Sequence, residues 1–217
     1  MVHEPAAEEA VRIARRNPRL RVGLHLTLCA GPAERVSALT GRDGSFSESP
    51  ARAGLRYFLS RSLRESLAEE IEAQFTRFRE FGLPATYWDG HTHLHLHPTV
   101  FRLTLPIAVA HGFRAIRLVR VPCPRSILPL IFHALSRAAI PHLQKRGIRF
   151  ADRTLGLRET GRMRMTTLSA LLGTVSEGMT ELYFHPGAEP EPLDFPALAQ
   201  RAAAQGIVLG TSASAGS

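Results

Sequence analysis

No run of apolar residues in this 217-residue chain approaches the ~20 that a membrane-spanning helix requires, which excludes a helical span. Cysteine is scarce. Cys29 and Cys123 lie far apart without C-x-x-C spacing, so neither a disulfide framework nor a cysteine-based zinc knuckle is on offer. With no secretory signal, reduced thiols in a cytoplasmic protein are expected. Lysine is nearly absent: Lys145 is the single one among 27 basic residues, so the formal charge of +8 rests on arginine. Such a bias can reflect coding composition, which makes total charge a weak guide to an anionic partner. Asp and Glu are missing altogether between Gly90 and Ala151, against nine Arg and Lys, so one face or loop there is distinctly positive. Those basic residues are not interleaved with aromatics or set in a recognisable module, which argues against nucleic-acid binding. The composition, 44% apolar and 21% charged, is that of an ordinary globular protein, expected as a single domain over residues 1–217.

What the chain does have is histidine in one place. Four of its ten histidines stand at alternate positions in Trp88-Asp89-Gly90-His91-Thr92-His93-Leu94-His95-Leu96-His97-Pro98. An extended run would put the four imidazoles on one face and Thr92, Leu94 and Leu96 on the other. Neutral imidazole is the commonest metal ligand, and a neighbouring carboxylate orients the ring or completes the coordination. A solvent-facing ladder would show the same spacing, but four histidines in phase after an apolar run favour a metal or catalytic role. At ~3.3 Å per residue the ladder spans about 20 Å, so one ion reaches one or two of them.

Around this stretch the pattern alternates. Pro5 to Arg16 reads as a helix with Glu8 and Glu9 at its start and arginines at its end. Arg21 to Leu28 reads as a strand with His25 opposite Leu24 and Leu26. Residues 31–59 read as loop. Ser62 to Phe81 is the clearest helix, its stripe formed by Leu63, Leu67, Ile71, Phe75 and Phe78. Ala85 to Asp89 is a strand; Pro98 opens a helix to Ala110 that Pro106 interrupts. Phe113 to Val119 is strand-like. Ile127 to Ala138 reads as an amphipathic helix, with Ile127, Leu128, Ile131, Leu135 and Ala138 on one side. Gly147 to Phe150 reads as a strand, a helix capped by Thr166 or Thr167 runs to Gly178, and Thr180 to Phe184 is a strand ending in His185. Phe195 to Gln205 is a helix and Ile207 to Leu209 a last strand. Such alternation favours an α/β fold with a largely parallel sheet, open or closed into a barrel. In such folds the carboxyl ends of the strands share a rim, so His25, His91 and His185 can converge there.

Gly23-Leu24-His25-Leu26, Asp89-Gly90-His91-Thr92-His93-Leu94-His95 and Phe184-His185-Pro186-Gly187 resemble motifs of the YdjC-like carbohydrate deacetylases, chitooligosaccharide deacetylase among them. Phe150-Ala151-Asp152-Arg153-Thr154-Leu155-Gly156-Leu157, Gly161-Arg162-Met163 and Thr180-Glu181-Leu182-Tyr183 are similar to the hopanoid biosynthesis-associated branch. The resemblance covers almost the whole chain in order. It implies a distorted (β/α) barrel of about six to seven largely parallel strands and a hydrolase that removes the acetyl group from an N-acetylated amino sugar with a divalent metal, Mg or Zn. His25 and His91 would ligate the metal, His185 would protonate the leaving amine, and Asp89 and His95 would contact substrate or orient the site. The branch implies a substrate lipid carrying N-acetylglucosamine on a hopanoid side chain, met by a cytoplasmic protein with peripheral contact at the inner membrane. Arg120, Arg125, Arg137, Lys145, Arg146 and Arg149 around the 127–138 stripe suit an anionic bilayer as well as they suit a solvated helix.

The family's opening Asp-Asp-Phe-Gly motif, source of a metal carboxylate and the general base, does not occur here. By analogy to the family layout ~35 residues and the first barrel strand are expected to be missing, through a misplaced start or truncation. That predicts a poor catalyst, with an opened sheet edge that invites a homodimer. Two other readings compete: a degenerate sugar-lipid-binding protein, and another His-x-His metal hydrolase such as a phosphoesterase.

Overall fold

A computed structural model of the chain describes residues 1–121, 127–185 and 187–210. Cys123, Arg125 and Pro186 of the motifs above lie outside the described residues. The chain forms two compact units, one from Met1–Arg117 with Ala134–Arg149, the other from Leu118–His133 with the described residues from Phe150 onward.

In the first unit, α1 (Ala7–Arg16) has acids in its first turn and arginines in its last, matching the helix dipole, and buries Val11 and Ala14. The strand β1 (Leu24–Leu26) pairs in parallel with β2 (Tyr87–Gly90), and β2 with β3 (Ala115–Ile116). The expected stripe of α3 (Arg64–Glu80) is the core: Leu67, Ile71, Phe75 and Phe78 are buried, with Leu63 just before them. Phe75 meets Phe113 edge-on at 4.9 Å between centroids, and Phe113 in turn meets Trp88 of β2. Helix α4 (Pro98–Ala110) is continuous through Pro106. The hydrogen bond that proline forfeits is to the carbonyl of Arg102, and both residues are exposed, so the lost bond leaves no buried group unpaired.

Several expectations fail locally. Within 31–59 the structure holds a helix, α2 (Pro50–Leu59), started by Pro50 and capped by Ser49, whose hydroxyl accepts from the N–H of Arg52. It buries only Ala53 and Tyr57, too few positions to give a readable stripe. Helix α5 (Ile127–Gln144) forms and extends past Pro141, but its buried residues are Ser136, Ala139 and Leu143, while Ile127, Leu128 and Ile131 are exposed. The neighbours of its last turns set the phase, not its own apolar content. Residues 147–150 meet β3 in one bridge, Ala115 to Arg149, rather than a ladder. Residues 207–209 form no strand.

The second unit has β4 (Arg153–Leu155) paired in parallel with β5 (Thr180–Leu182). Helix α6 (Met165–Leu172) starts at Arg164 without a side-chain cap, not at Thr166 or Thr167, and stops short of Gly178. Helix α7 (Phe195–Ala204) is capped by Asp194, which accepts from the N–H of Ala197. Met163, Leu168, Leu172, Leu198 and Ala202 make this unit's core. The fold is thus mixed α/β with parallel strands. Among the described residues the strands lie in one sheet of three and one of two, without closing into a barrel.

Candidate active site

Alternation in β1 buries Leu24 and Leu26 and turns His25 to the other face, where its side chain is about one-third exposed. The register of β1 on β2 sets His25 beside Asp89 and Leu24 beside Trp88. Residues level with each other on neighbouring strands share a face, so Asp89 Oδ1 lies 2.6 Å from His25 Nδ1. The register of β2 on β3, Tyr87 with Ala115 and Trp88 with Ile116, carries one step further to Asp89 and Arg117. Arg117 donates from a guanidinium nitrogen to the second oxygen of Asp89. Burial alone would raise the pKa of Asp89, but the His25 hydrogen bond and the Arg117 charge hold it well below the usual carboxylate range.

Beyond Gly90 the extended ladder does not exist. Residues His91–Leu96 coil into tight turns, with Thr92 at φ 52° and His93 at φ 62°, both left-handed. The four imidazoles therefore go to different places. His91 comes back over β1, its Nδ1 3.4 Å from His25 Nε2 and its ring edge-on to that of His25. His93 and His95 are buried. The His95 Nε2 donates to the carbonyl of Arg117 at 2.9 Å, and among the described residues no hydrogen-bond partner reaches its Nδ1. His97 is half-buried, its ring edge-on to Phe58 of α2. Burial pushes the pKa of His93 down to about 3 and that of His95 to about 4, so both are neutral at neutral pH; His97 moves the same way for the same reason.

Small residues and buried polar groups hold this shape. A Cβ on Gly90 would stand 2.8 Å from the Cβ of His95 and 2.9 Å from its Nδ1, so only glycine lets the turn fold back on β2. The Cys29 thiol lies 3.0 Å from the hydroxyl of Thr92 and is fully buried, and burial raises its pKa, so it serves as a brace under the turn. Gln74 of α3 accepts from the N–H of Thr27 and donates to its carbonyl, and Tyr57 donates to the carbonyl of Leu28, fastening the end of β1.

The His25 and His91 pair fits part of a metal sphere. Two imidazole nitrogens on one ion at about 2.0–2.1 Å and a tetrahedral angle stand about 3.3 Å apart, close to the 3.4 Å found here. With Nδ1–H given to the Asp89 carboxylate, His25 turns the lone pair of Nε2 toward His91, the arrangement that histidine ligands commonly show. Among the described residues no group of three His, Cys, Asp or Glu side chains gathers around one point. The fit is therefore to two ligands, with Asp89 behind them.

His185 belongs to the second unit. It follows β5, its N–H donates to Glu189 at 3.0 Å, and its Nε2 lies 2.9 Å from the hydroxyl of Tyr183. Glu189 also accepts from the N–H of Met163 at 2.7 Å. These backbone donors, His185 first, outweigh desolvation and lower the Glu189 pKa. Gly156 explains the Thr-Leu-Gly-Leu motif: at φ 96° its missing Cβ would lie 2.0 Å from the carbonyl of Tyr183. Sequence reading missed Arg117, Glu189 and Gln74. For Arg117 a signal existed, since it falls in the strand-like run 113–119, but its partner across the sheet follows only from the register.

A family model described as YdjC-like protein matches residues 1–209. The chain is 31% identical over 217 aligned residues to a human carbohydrate deacetylase, the alignment covering 88% of this chain and 66% of that one. To the carbohydrate deacetylase of Geobacillus stearothermophilus it is 36% identical over 129 residues, 58% of this chain and 49% of the relative. To the chitooligosaccharide deacetylase of Serratia marcescens it is 33% identical over 132 residues, 60% and 51% of the two chains. The chain thus spans about half to two thirds of the length of these curated relatives. Among solved structures, a provisionally named cellobiose-phosphate cleavage protein from Enterococcus faecalis V583 superimposes with a TM-score of 0.69 over 98% of this chain and 84% of that one, at 18% identity, a likeness of fold.

Proposed function

The chain belongs to the YdjC-like family, and from that premise we propose that it is a metal-dependent hydrolase removing the N-acetyl group from an N-acetylated amino sugar. The observation that carries this reading is the pair of imidazole nitrogens of His25 and His91, 3.4 Å apart, with the far nitrogen of His25 on the Asp89 carboxylate. Relatives named carbohydrate deacetylase and chitooligosaccharide deacetylase support the same reaction class.

In this reading His25 and His91 would hold a divalent ion, Mg or Zn, which when bound polarises the amide carbonyl and makes water nucleophilic near neutral pH. Asp89 keeps His25 turned so that Nε2 faces His91. Of the two roles open to Asp89 and His95, substrate contact and orientation, their burial favours orientation. His185 is the proposed proton donor to the leaving amine, with Tyr183 on its ring nitrogen and Glu189 on its backbone N–H. The finer substrate we propose is an N-acetylglucosaminyl hopanoid, on the strength of the 150–157 and 180–183 motifs. The exposed Ile127, Leu128, Leu130 and Ile131 of α5 support peripheral contact with the membrane that would hold such a lipid.

One observation favours a second reading: among the described residues the metal ligands stop at two. A protein that grips the sugar lipid without turning it over has that appearance. Acetate release from N-acetylglucosaminyl hopanoid and from diacetylchitobiose, with added divalent metal and His91→Ala as control, separates the two. Metal-dependent release that vanishes in the control is expected. Binding of the lipid without release in any metal overturns the hydrolase reading.

A further inference from the structure

Three side chains lie in one row across the parallel sheet: His25 on β1, Asp89 on β2, and Arg117 directly after β3. Asp89 is buried and both of its oxygens are engaged, Oδ1 with His25 Nδ1 and Oδ2 with the guanidinium of Arg117. The end torsion of an aspartate is broad and two-fold, so a carboxylate held by one contact alone does not fix which edge it offers. A neutral imidazole likewise has two tautomers, and the partner of one nitrogen decides what the other presents. Arg117 is itself held: its side chain is 13% exposed, its guanidinium lies 5.8 Å from the centre of the Tyr87 ring, and its carbonyl accepts from His95.

We propose that Arg117 is a positioning residue of this centre: by gripping Oδ2 of Asp89 it turns Oδ1 onto Nδ1 of His25, and so fixes the tautomer whose Nε2 lone pair faces His91. The proposal rests on the reading that His25 and His91 hold the metal. It assigns the guanidinium a role separate from that of the Arg117 carbonyl, which a side-chain substitution leaves on His95.

The test is nitrogen-resolved NMR of the histidine rings, together with zinc titration of the metal-free protein, for the wild type, Arg117→Gln and Arg117→Lys. Wild-type His25 is expected in one tautomer with its proton on Nδ1. In folded Arg117→Gln the ring exchanges between tautomers and zinc affinity falls about 10- to 100-fold, the usual range for residues behind a ligand. Arg117→Lys recovers most of both, because a cation again reaches Asp89. An unchanged tautomer and unchanged affinity in folded Arg117→Gln overturn the proposal, since a merely structural arginine would give that result. Should Arg117→Gln not fold, the wild-type ring still decides: a His25 that exchanges, or carries its proton on Nε2, overturns it. Neither readout needs turnover, so a fixed tautomer in a protein that releases no acetate removes the deacetylase and leaves the positioning role standing.

Discussion

Thr92 and His93 hold left-handed backbone that non-glycine residues adopt at a cost of about 1–2 kcal/mol each, and the price is met where the turn delivers His91 to His25. Gly90 makes the turn possible. Gly90→Ala forces a methyl group against His95, 2.8 Å from its Cβ, and is expected to cost about 1–3 kcal/mol in urea unfolding, with a shifted His95 ring resonance. An unchanged midpoint would mean that the turn gives way freely. The buried histidines also set a pH dependence. His93 and His95 titrate at about 3 and about 4 in the folded chain, against 6.5 when unfolded. Below pH 6.5 the unfolded chain therefore takes up protons that the folded one refuses. Their contribution is complete above that pH and is lost on acidification, by up to ~1.4 kcal/mol per pH unit for each ring. Asp89, displaced downward, keeps its contribution until the pH falls below the ordinary carboxylate value of 3.8. Urea midpoints from pH 4.5 to 8 check this: a slope confined to the acid side is expected, and a flat line would mean that the rings are not held neutral.

Among the elements, α3 ties the core to the site. Its apolar stripe packs under the sheet through Phe75 and Phe113, while Gln74 on the same helix satisfies both backbone groups of Thr27, two residues beyond His25. Gln74→Leu leaves a buried N–H and a buried carbonyl without partners, at roughly 1–3 kcal/mol for each group. Because the loss falls at the end of β1, zinc affinity is expected to drop along with stability. A folded variant of lower stability and unaltered zinc affinity would show that α3 supports the core without reaching the site. Helix α2 had no visible stripe because it rests on two residues, and α5 showed a stripe that the fold leaves exposed. In both, local apolar content and actual burial part ways, since burial is decided by the neighbouring elements.

At the scale of the whole molecule the pair of imidazoles predicts a linkage between metal and stability. A ligand that binds the folded chain alone stabilises it by ~2.7 kcal/mol at a hundred times its dissociation constant. Zinc is thus expected to raise the Tm of the wild type and to leave His25→Ala and His91→Ala unmoved. An equal rise in all three would place the metal elsewhere. The sequence by itself determined the parallel α/β class, the stripe of α3, the family, and the strand positions that bear His25 and Asp89, because periodicity, glycine placement and motif spacing are local properties of the chain. It did not determine that the histidine run leaves the extended state, since the left-handed pair at Thr92 and His93 is held by contacts from β1 and β2 that no local pattern encodes. Nor did it single out Arg117, which meets Asp89 only once three strands are laid side by side in register. The site is therefore half sequence motif and half strand pairing, the second half arising from hydrogen-bonded neighbours that stand far apart along the chain.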